Sequence, residues 1–388
     1  VSITAPQGFR AAGVTAGLKA SGNPDMALVL NEGPSKAAAA VFTSNRVAAA
    51  PVHWSREVVK DGRVDAVILN SGGANACTGP QGFQNTHTTA EKTAEALGVS
   101  ATDVVVCSTG LIGEQLPMDK ILAGIGAASA ALDTDGGSAA ATAIMTTDSV
   151  SKQAAVTGTD AAGNTFTIGG MAKGAGMLAP GLATMLVVLT TDADVQAEML
   201  DVVLRDATRV TFDRADSDGC MSTNDTVVLL ASGASGAVPS AAEFGKGLTE
   251  VCAELARKLI GDAEGASHDI AIRTFNAASE LDAETVGRAV ARSNLFKTAI
   301  FGKDPNWGRV LSAVGTTDAV FEPDRLNVSM NGVQICRNGS IGDDRSLVDL
   351  EPRDVLVEID LQAGDAEATI LTNDLTHDYV HENSAYSS

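Results

Sequence analysis

Aromatic side chains are scarce in this chain: 2 Trp, 2 Tyr and 10 Phe among 388 residues. The chain is long enough to bury a sizeable core, so alanine and valine must fill much of it. Long apolar runs are also missing. No stretch nears the roughly 20 residues needed to cross a bilayer, and the opening VSITAPQGF has no signal-type core, so a soluble protein is expected. Basic residues number only 27 against 48 acidic ones, a net charge of −21. Such a surface repels a phosphate backbone, and no basic run offsets it locally, which argues against nucleic acid as a partner. The five cysteines, Cys77, Cys107, Cys220, Cys252 and Cys336, are odd in number and form no C-x-x-C pair. That usage fits a reducing cytoplasm. Cys107 ends an apolar run and reads as a small core residue.

The common catalytic signatures are missing as well. There is no G-x-S-x-G elbow, no P-loop and no G-x-G-x-x-G, so serine hydrolase, phosphate-loop and dinucleotide readings lack their main support. Of five histidines, only His377 and His381 fall at a metal-like spacing, in HDYVH. Asp378 stands where a zinc protease carries glutamate and no third ligand suggests itself, so no metal is expected.

What remains is a mixed α/β pattern. Apolar runs predict strands at Val64–Leu69, Val104–Cys107, Met185–Leu189, Val227–Ala231, Asp269–Ile272 and Val355–Leu361. Helical spacing predicts helices from Asp194 to Val210, with Asp192 and Asp194 as caps, and from the capping box Ser240–Glu243 to Gly261. Others are expected at Thr89–Leu97, Met118–Leu132 and Ala283–Ser293, and the polar Ser149–Gly170 reads as a hairpin or a surface excursion. Two loops follow strands. In Asn70–Gly79 the glycines either turn the chain or aim N–H groups at an anion. Ser108-Thr109-Gly110 offers a hydroxyl beside an unobstructed N–H, the makings of an oxyanion hole, or a simple turn.

The most telling stretch is KGAGMLAPGLATMLVVLTTD, Lys173 to Asp192, where a glycine-rich loop delivers Thr184 to the start of a buried strand. If the Ala183–Thr184 peptide bond is cut, the new α-amine of Thr184 can act as base for its own hydroxyl. An α-amine titrates at about 7.7 to 8.0, so no histidine is required. Taken locally, an ordinary β-branched residue at a strand start is the plainer reading.

Seven motifs in order tip the balance: CSTGLIG (Cys107–Gly113), IMTTD (Ile144–Asp148), KGAGMLAPGLATML (Lys173–Leu186), STNDT (Ser222–Thr226), DAEGA (Asp262–Ala266), KDPNWGRV (Lys303–Val310) and ENSAYSS (Glu382–Ser388). Together they resemble the self-cleaving ornithine acetyltransferases of arginine biosynthesis, over the chain from Ala5 to its last residue. The resemblance implies an N-terminal-nucleophile-like α/β body of helix–sheet–sheet–helix layers with mixed sheets, cut into intertwined fragments 1–183 and 184–388. It implies ping-pong transfer of acetyl from N2-acetylornithine to glutamate through acetyl-Thr184. Thr109 and Gly110 would form the oxyanion hole, and Thr147 (or its neighbour Thr146), Lys173, Glu264, Asn383 and Ser388 would contact substrate. Glu264 suits the side-chain ammonium of ornithine and would repel the carboxylate of glutamate. No cofactor is implied, although acetyl-CoA is compatible as a further donor, and the assembly would be a dimer of cleaved protomers, a heterotetramer. A self-processing aminopeptidase or amidohydrolase would use the same nucleophile and release its acyl group to water. The sequence departs from the family pattern at Gly181-Leu182, at Ser151 and in ending on serine, and none of these removes a catalytic group.

Overall fold

The computed structural model describes residues 2–179 and 185–385. Two sheets form its centre. The first has the order β1 (Phe9–Val14), β2 (Met26–Asn31), β4 (Ala66–Asn70), β5 (Val104–Ser108), and the second the order β3 (Ala38–Phe42), β9 (Thr226–Ala231), β8 (Leu186–Thr191), β7 (Thr165–Lys173), β6 (Lys152–Thr159). Both sheets are mixed: β4–β5 and β8–β9 run parallel, and the other pairs run antiparallel. Their inner strands are buried on both faces, as the unbroken apolar runs require. Alternate residues separate the two sides. Val67, Leu69 and Val105 of the first sheet meet Leu186, Val188 and Val228 of the second in one cluster. Ile68, Val104 and Val106 face α2 (Gly79–Leu97) and α3 (Met118–Ala130), whereas Val187, Leu189 and Leu229 face α5 (Ala197–Arg209) and α6 (Ala241–Gly261). The result is the expected helix–sheet–sheet–helix stack. α1 (Ala50–Val58) packs beside β5, and α4 (Gly137–Ala143) across β1 and β2.

A third, six-stranded sheet has its own core. Its order is β13 (Ser340–Ile341), β12 (Val333–Arg337), β11 (Asn327–Met330), β14 (Asp354–Asp360), β10 (Asp269–Ala277), β15 (Ala366–Asn373). One face is covered by α7 (Glu280–Ala291), α8 (Asn294–Phe301) and α9 (Trp307–Val314). α10 (His377–Ala385) follows β15.

The six predicted strands are β4, β5, β8, β9, β10 and β14, and Ser149–Gly170 forms the β6–β7 hairpin. The Ser240 capping box is present, and α6 ends at Gly261. Three expectations need correction. α5 starts at Ala197 with no side-chain cap, because the Asp192 carboxylate instead accepts the N–H groups of Gln7 and Thr167 and ties two strands' ends together. α2 begins ten residues before Thr89, its buried side carrying Asn85, Thr86, Thr89 and Thr93 where an apolar stripe would be sought. α7 begins at Glu280, because the Ser279 hydroxyl caps it at Asp282 N–H. Among the described residues no helix is long and apolar enough to cross a membrane.

Candidate active site

The strand ends bring the chemistry together. Parallel β4 and β5 finish side by side, with Asn70 opposite Ser108. The Asn70 amide donates to Ser108 Oγ at 2.7 Å, and its carbonyl accepts the Thr109 N–H at 3.0 Å. Gly110 has φ +136°, and a Cβ there would lie 2.7 Å from the Gly73 nitrogen. Only glycine lets the two loops touch so closely. In the adjoining sheet β7 ends at Lys173, opposite Leu186 at the start of β8. Asn224 joins the two sheets, since its side-chain amide donates to the carbonyls of Ala74 (2.6 Å) and Ser108 (2.8 Å).

A cavity of about 330 Å³ opens at this junction. Thr109, Gly110, Thr147, Lys173, Glu264 and Asn383 all line it, as do Thr146 and Lys19. Thr146 and Thr147 both face the cavity, so either can touch a ligand. Ala183, Thr184 and Ser388 lie outside the described residues. The described chain resumes at Met185, whose N–H donates to Asp225 Oδ1 at 3.0 Å. A larger groove of about 780 Å³ runs between β3, the end of α1 and the start of α5. It gathers none of these residues.

Buried charge holds the cavity in shape. Lys173 is only 1% exposed, and its ammonium donates to Thr109 Oγ1 at 3.3 Å. Burial and this bond hold the Lys173 side chain in place. Burial lowers its pKa, and the nearby Asp148 carboxylate works against that. Asp148 accepts from Gly174 N–H (2.7 Å), Thr146 N–H (2.9 Å) and the Lys152 ammonium (2.6 Å). Lys152, wholly buried, also reaches Asp262 at 2.6 Å. Asp262 opens the loop that carries Glu264, whose N–H bonds to the Ala175 carbonyl at 2.8 Å. A Cβ at Gly176 would come within 2.5 Å of the Glu264 carboxylate, so a glycine there gives that side chain its room. A Cβ at Gly265 would lie 2.1 Å from the Tyr379 nitrogen. Thus the start of α10 packs directly on the Glu264 loop, and Asn383, one turn on, bonds back to the Tyr379 carbonyl at 3.0 Å.

Two carboxyl groups are driven in opposite directions. Burial alone would raise Asp148, but Lys173, Lys152 and the Gly174 N–H outweigh it and hold its pKa near about 2, against an ordinary 3.8. A depressed carboxylate stabilises the fold above its unfolded pKa and loses that contribution as pH falls through the folded one. Asp148 therefore contributes roughly 2 kcal/mol above pH about 4 that disappears by pH about 2. Urea unfolding of wild type and Asp148→Asn across that range should show the stability gap closing as pH falls. Asp225 goes the other way. Complete burial pushes its carboxyl well up, despite the Met185 N–H that favours the ionised form. This buried carboxyl sits beside Met185, the residue that follows Thr184.

The ArgJ family matches residues 10–388. This chain belongs to the ArgJ family. It is 64% identical to the arginine biosynthesis bifunctional protein ArgJ of Streptomyces coelicolor and 65% identical to that of Thermobifida fusca, each over 388 residues and the whole of both chains. Among solved structures, the ornithine acetyltransferase of Mycobacterium tuberculosis, complexed with ornithine, is 57% identical over 48% of this chain and 96% of its own, with a TM-score of 0.44.

The histidines, Cys107 and the Asn70–Gly79 loop have structural surroundings. Among the described residues no three His, Cys, Asp or Glu side chains group to hold a metal. His377 lies edge-on to Phe301, with ring centroids 5.5 Å apart. His268 is buried against Asp374, Nδ1 to Oδ2 at 2.7 Å. Cys107 lies in the core, and burial pushes its thiol up to about 12. The Asn70–Gly79 loop supports the oxyanion candidate through Gly73 and lines the cavity with Gly72 and Ala74. Sequence reasoning singled out neither Lys152 nor Asp225 nor Lys19. Asp148 and Asp225 were visible only as the last residue of IMTTD and the fourth of STNDT.

Proposed function

We propose that this cavity is the acyl-transfer site of an ornithine acetyltransferase that moves acetyl from N2-acetylornithine to glutamate. The observation that carries the reading is the meeting, in one cavity, of a cation for the shared α-carboxylate (Lys173), an anion for the donor's ammonium (Glu264) and the Thr109–Gly110 pair. No other described cavity offers all three.

The chemistry starts with cleavage at Ala183–Thr184. The freed α-amine takes the proton of the Thr184 hydroxyl, which attacks the acetyl carbonyl of the donor. Negative charge collects on the carbonyl oxygen, and the Thr109 hydroxyl with the Gly110 N–H receives it. Because Lys173 donates to Thr109 Oγ1, the proton of that hydroxyl is left to point elsewhere, toward an oxyanion. The α-ammonium returns its proton to the departing amine of ornithine, so a single group acts as base and then acid. The neutral α-amine of glutamate then attacks the carbonyl of acetyl-Thr184, the ester C–O bond breaks, the Thr184 α-amine passes the proton from the attacking nitrogen to the Thr184 oxygen, and N-acetylglutamate leaves. No bound cofactor or metal takes part, and acetyl-CoA is accommodated only as a second donor of the same acetyl group.

The strand pairing supports fragments that stay together. β7 and β8 pair from Ile168–Thr191 to Lys173–Leu186, across the proposed cut, and β3 of the first fragment pairs with β9 of the second. Separating them would tear the central sheet. The assembly is proposed as a dimer of such protomers, in the cytoplasm, where thiols such as the exposed Cys77 and Cys220 stay reduced.

Initial rates over a grid of acetylornithine and glutamate concentrations test the reading. Parallel double-reciprocal lines and equal yields of ornithine and N-acetylglutamate are expected. Intersecting lines, or acetate in place of N-acetylglutamate, would favour direct transfer or the hydrolase alternative. Thr109→Val, which keeps the shape and loses the hydroxyl, is expected to lower kcat by about 10²- to 10³-fold, the usual effect of losing one oxyanion donor. Acetyl-enzyme formation in a rapid-quench experiment checks it.

A further inference from the structure

A ping-pong site has to accept both substrates at one nucleophile, yet their side chains end in opposite charges. Acetylornithine carries an ammonium and glutamate a carboxylate. Glu264 suits the first and repels the second. The charged side chains lining the cavity among the described residues are Lys19, Lys173 and Glu264, and Lys173 is committed to the α-carboxylate common to both. Resting on the acetyltransferase reading above, we propose that Lys19 is the receptor for the acceptor's side-chain carboxylate and makes this site selective for a dicarboxylic amino acid.

Lys19 occupies a built position. It lies in the loop joining β1 to β2, and the buried Asp25 carboxylate clamps that loop by accepting the N–H groups of Ala16 (2.6 Å), Leu18 (2.6 Å) and Lys19 itself (3.0 Å). Leu18 presses on the glycine loop beside the oxyanion candidate, where a Cβ at Gly72 would lie 2.2 Å from Leu18 Cβ. The Lys19 ammonium is then aimed by two carbonyls, Met145 at 2.6 Å and Pro24 at 2.9 Å. Two of its three N–H bonds are thereby used, and the third remains for a ligand. Met145 immediately precedes Thr146 and Thr147 on the cavity wall. Burial and then the neighbouring Lys173 charge lower the proton affinity of Lys19, with Asp25 opposing them. An entering carboxylate would relieve the repulsion between the two lysines. The donor and acceptor therefore share Lys173 and diverge at the far end, the cation toward Glu264 and the anion toward Lys19.

The test compares glutamate with glutamine, its neutral isostere, as acceptors from pre-formed acetyl-enzyme. Lys19→Gln is expected to lower the preference for glutamate over glutamine by about 10- to 100-fold, the effect of losing one charge-assisted hydrogen bond. Its glutamate step should also fall at least tenfold more than its acetylation by acetylornithine. Lys19→Met, which keeps the methylene stem and loses the ammonium, should repeat the drop, and Lys19→Arg should restore most of the preference. An unchanged preference in Lys19→Gln and Lys19→Met, or equal losses in both half-reactions, would overturn the role of Lys19 and leave the acetyltransferase reading standing. A wild-type protein that never takes acetyl from acetylornithine would overturn both.

Discussion

Replacing Thr184 by alanine is expected to end acyl transfer, with kcat falling on the order of 10⁴-fold or more, and to leave the chain uncut. The size of the effect follows from the double role of this residue. Its hydroxyl accepts the acetyl group, and the amine that activates it comes into being only when the bond before it breaks. Alanine removes the hydroxyl from both events. Binding determinants elsewhere stay in place, since Lys173, Glu264 and Asn383 belong to other segments of the wall. Isothermal titration of Thr184→Ala with acetylornithine should thus still show binding while steady-state assays show no turnover. Thr184→Ser keeps a hydroxyl and should retain both cleavage and measurable transfer. Full activity in Thr184→Ala would move the nucleophile elsewhere.

Lys152→Met is expected to cost about 3 to 5 kcal/mol of stability, a large share of what a folded protein has. Lys152 is wholly buried and bonds both Asp148 and Asp262 at 2.6 Å. Methionine fills the space but leaves two carboxylates without their common cation, and a buried pair broken on one side is far more costly than a pair replaced whole. The Asp148→Asn/Lys152→Met double variant should accordingly lose less than the sum of its single variants, as groups in one network do. Urea midpoints of the four proteins measure this coupling. The same cation links the Thr146–Thr147 loop to the Glu264 loop, so the KM for acetylornithine should rise along with the loss of stability. A Lys152→Met protein as stable as wild type would show that the buried network is dispensable.

How much of this was legible in the sequence depended on how local the cause was. β8 and β9 are unbroken apolar runs between turn residues, and α6 carries a complete capping box, so each could be read from its own residues. β1 and β3, FRAAGV and AAAVF, could not, because their alanines become core only when another sheet covers them. The first half of α2 escaped for a related reason. Its buried side is polar and held by side-chain bonds such as Asn75 to Thr86 at 2.9 Å, which no hydrophobic period reveals. In the site, Thr109-Gly110 followed a recognisable strand, while Thr147, Lys173, Glu264 and Asn383 came from the family resemblance. Their gathering in one cavity is a property of the fold. Lys152 stood out in neither way, since its partner Asp262 is distant in sequence and a lone lysine on a hairpin strand reads as solvated. Lys19 was hidden similarly, its meaning resting on a turn clamped by Asp25 and on the carbonyl of Met145.

Release of Thr184 by cleavage, and its acetylation, can both be read from intact masses. Wild-type protein, briefly incubated with acetylornithine, is denatured in acid and its intact masses are determined, with N-terminal sequencing of each fragment. Two fragments are expected, the second beginning TMLVVL and heavier by one acetyl group, which is lost again when glutamate is added. A single uncut chain, or an acetyl group found on any residue other than Thr184, would contradict that expectation.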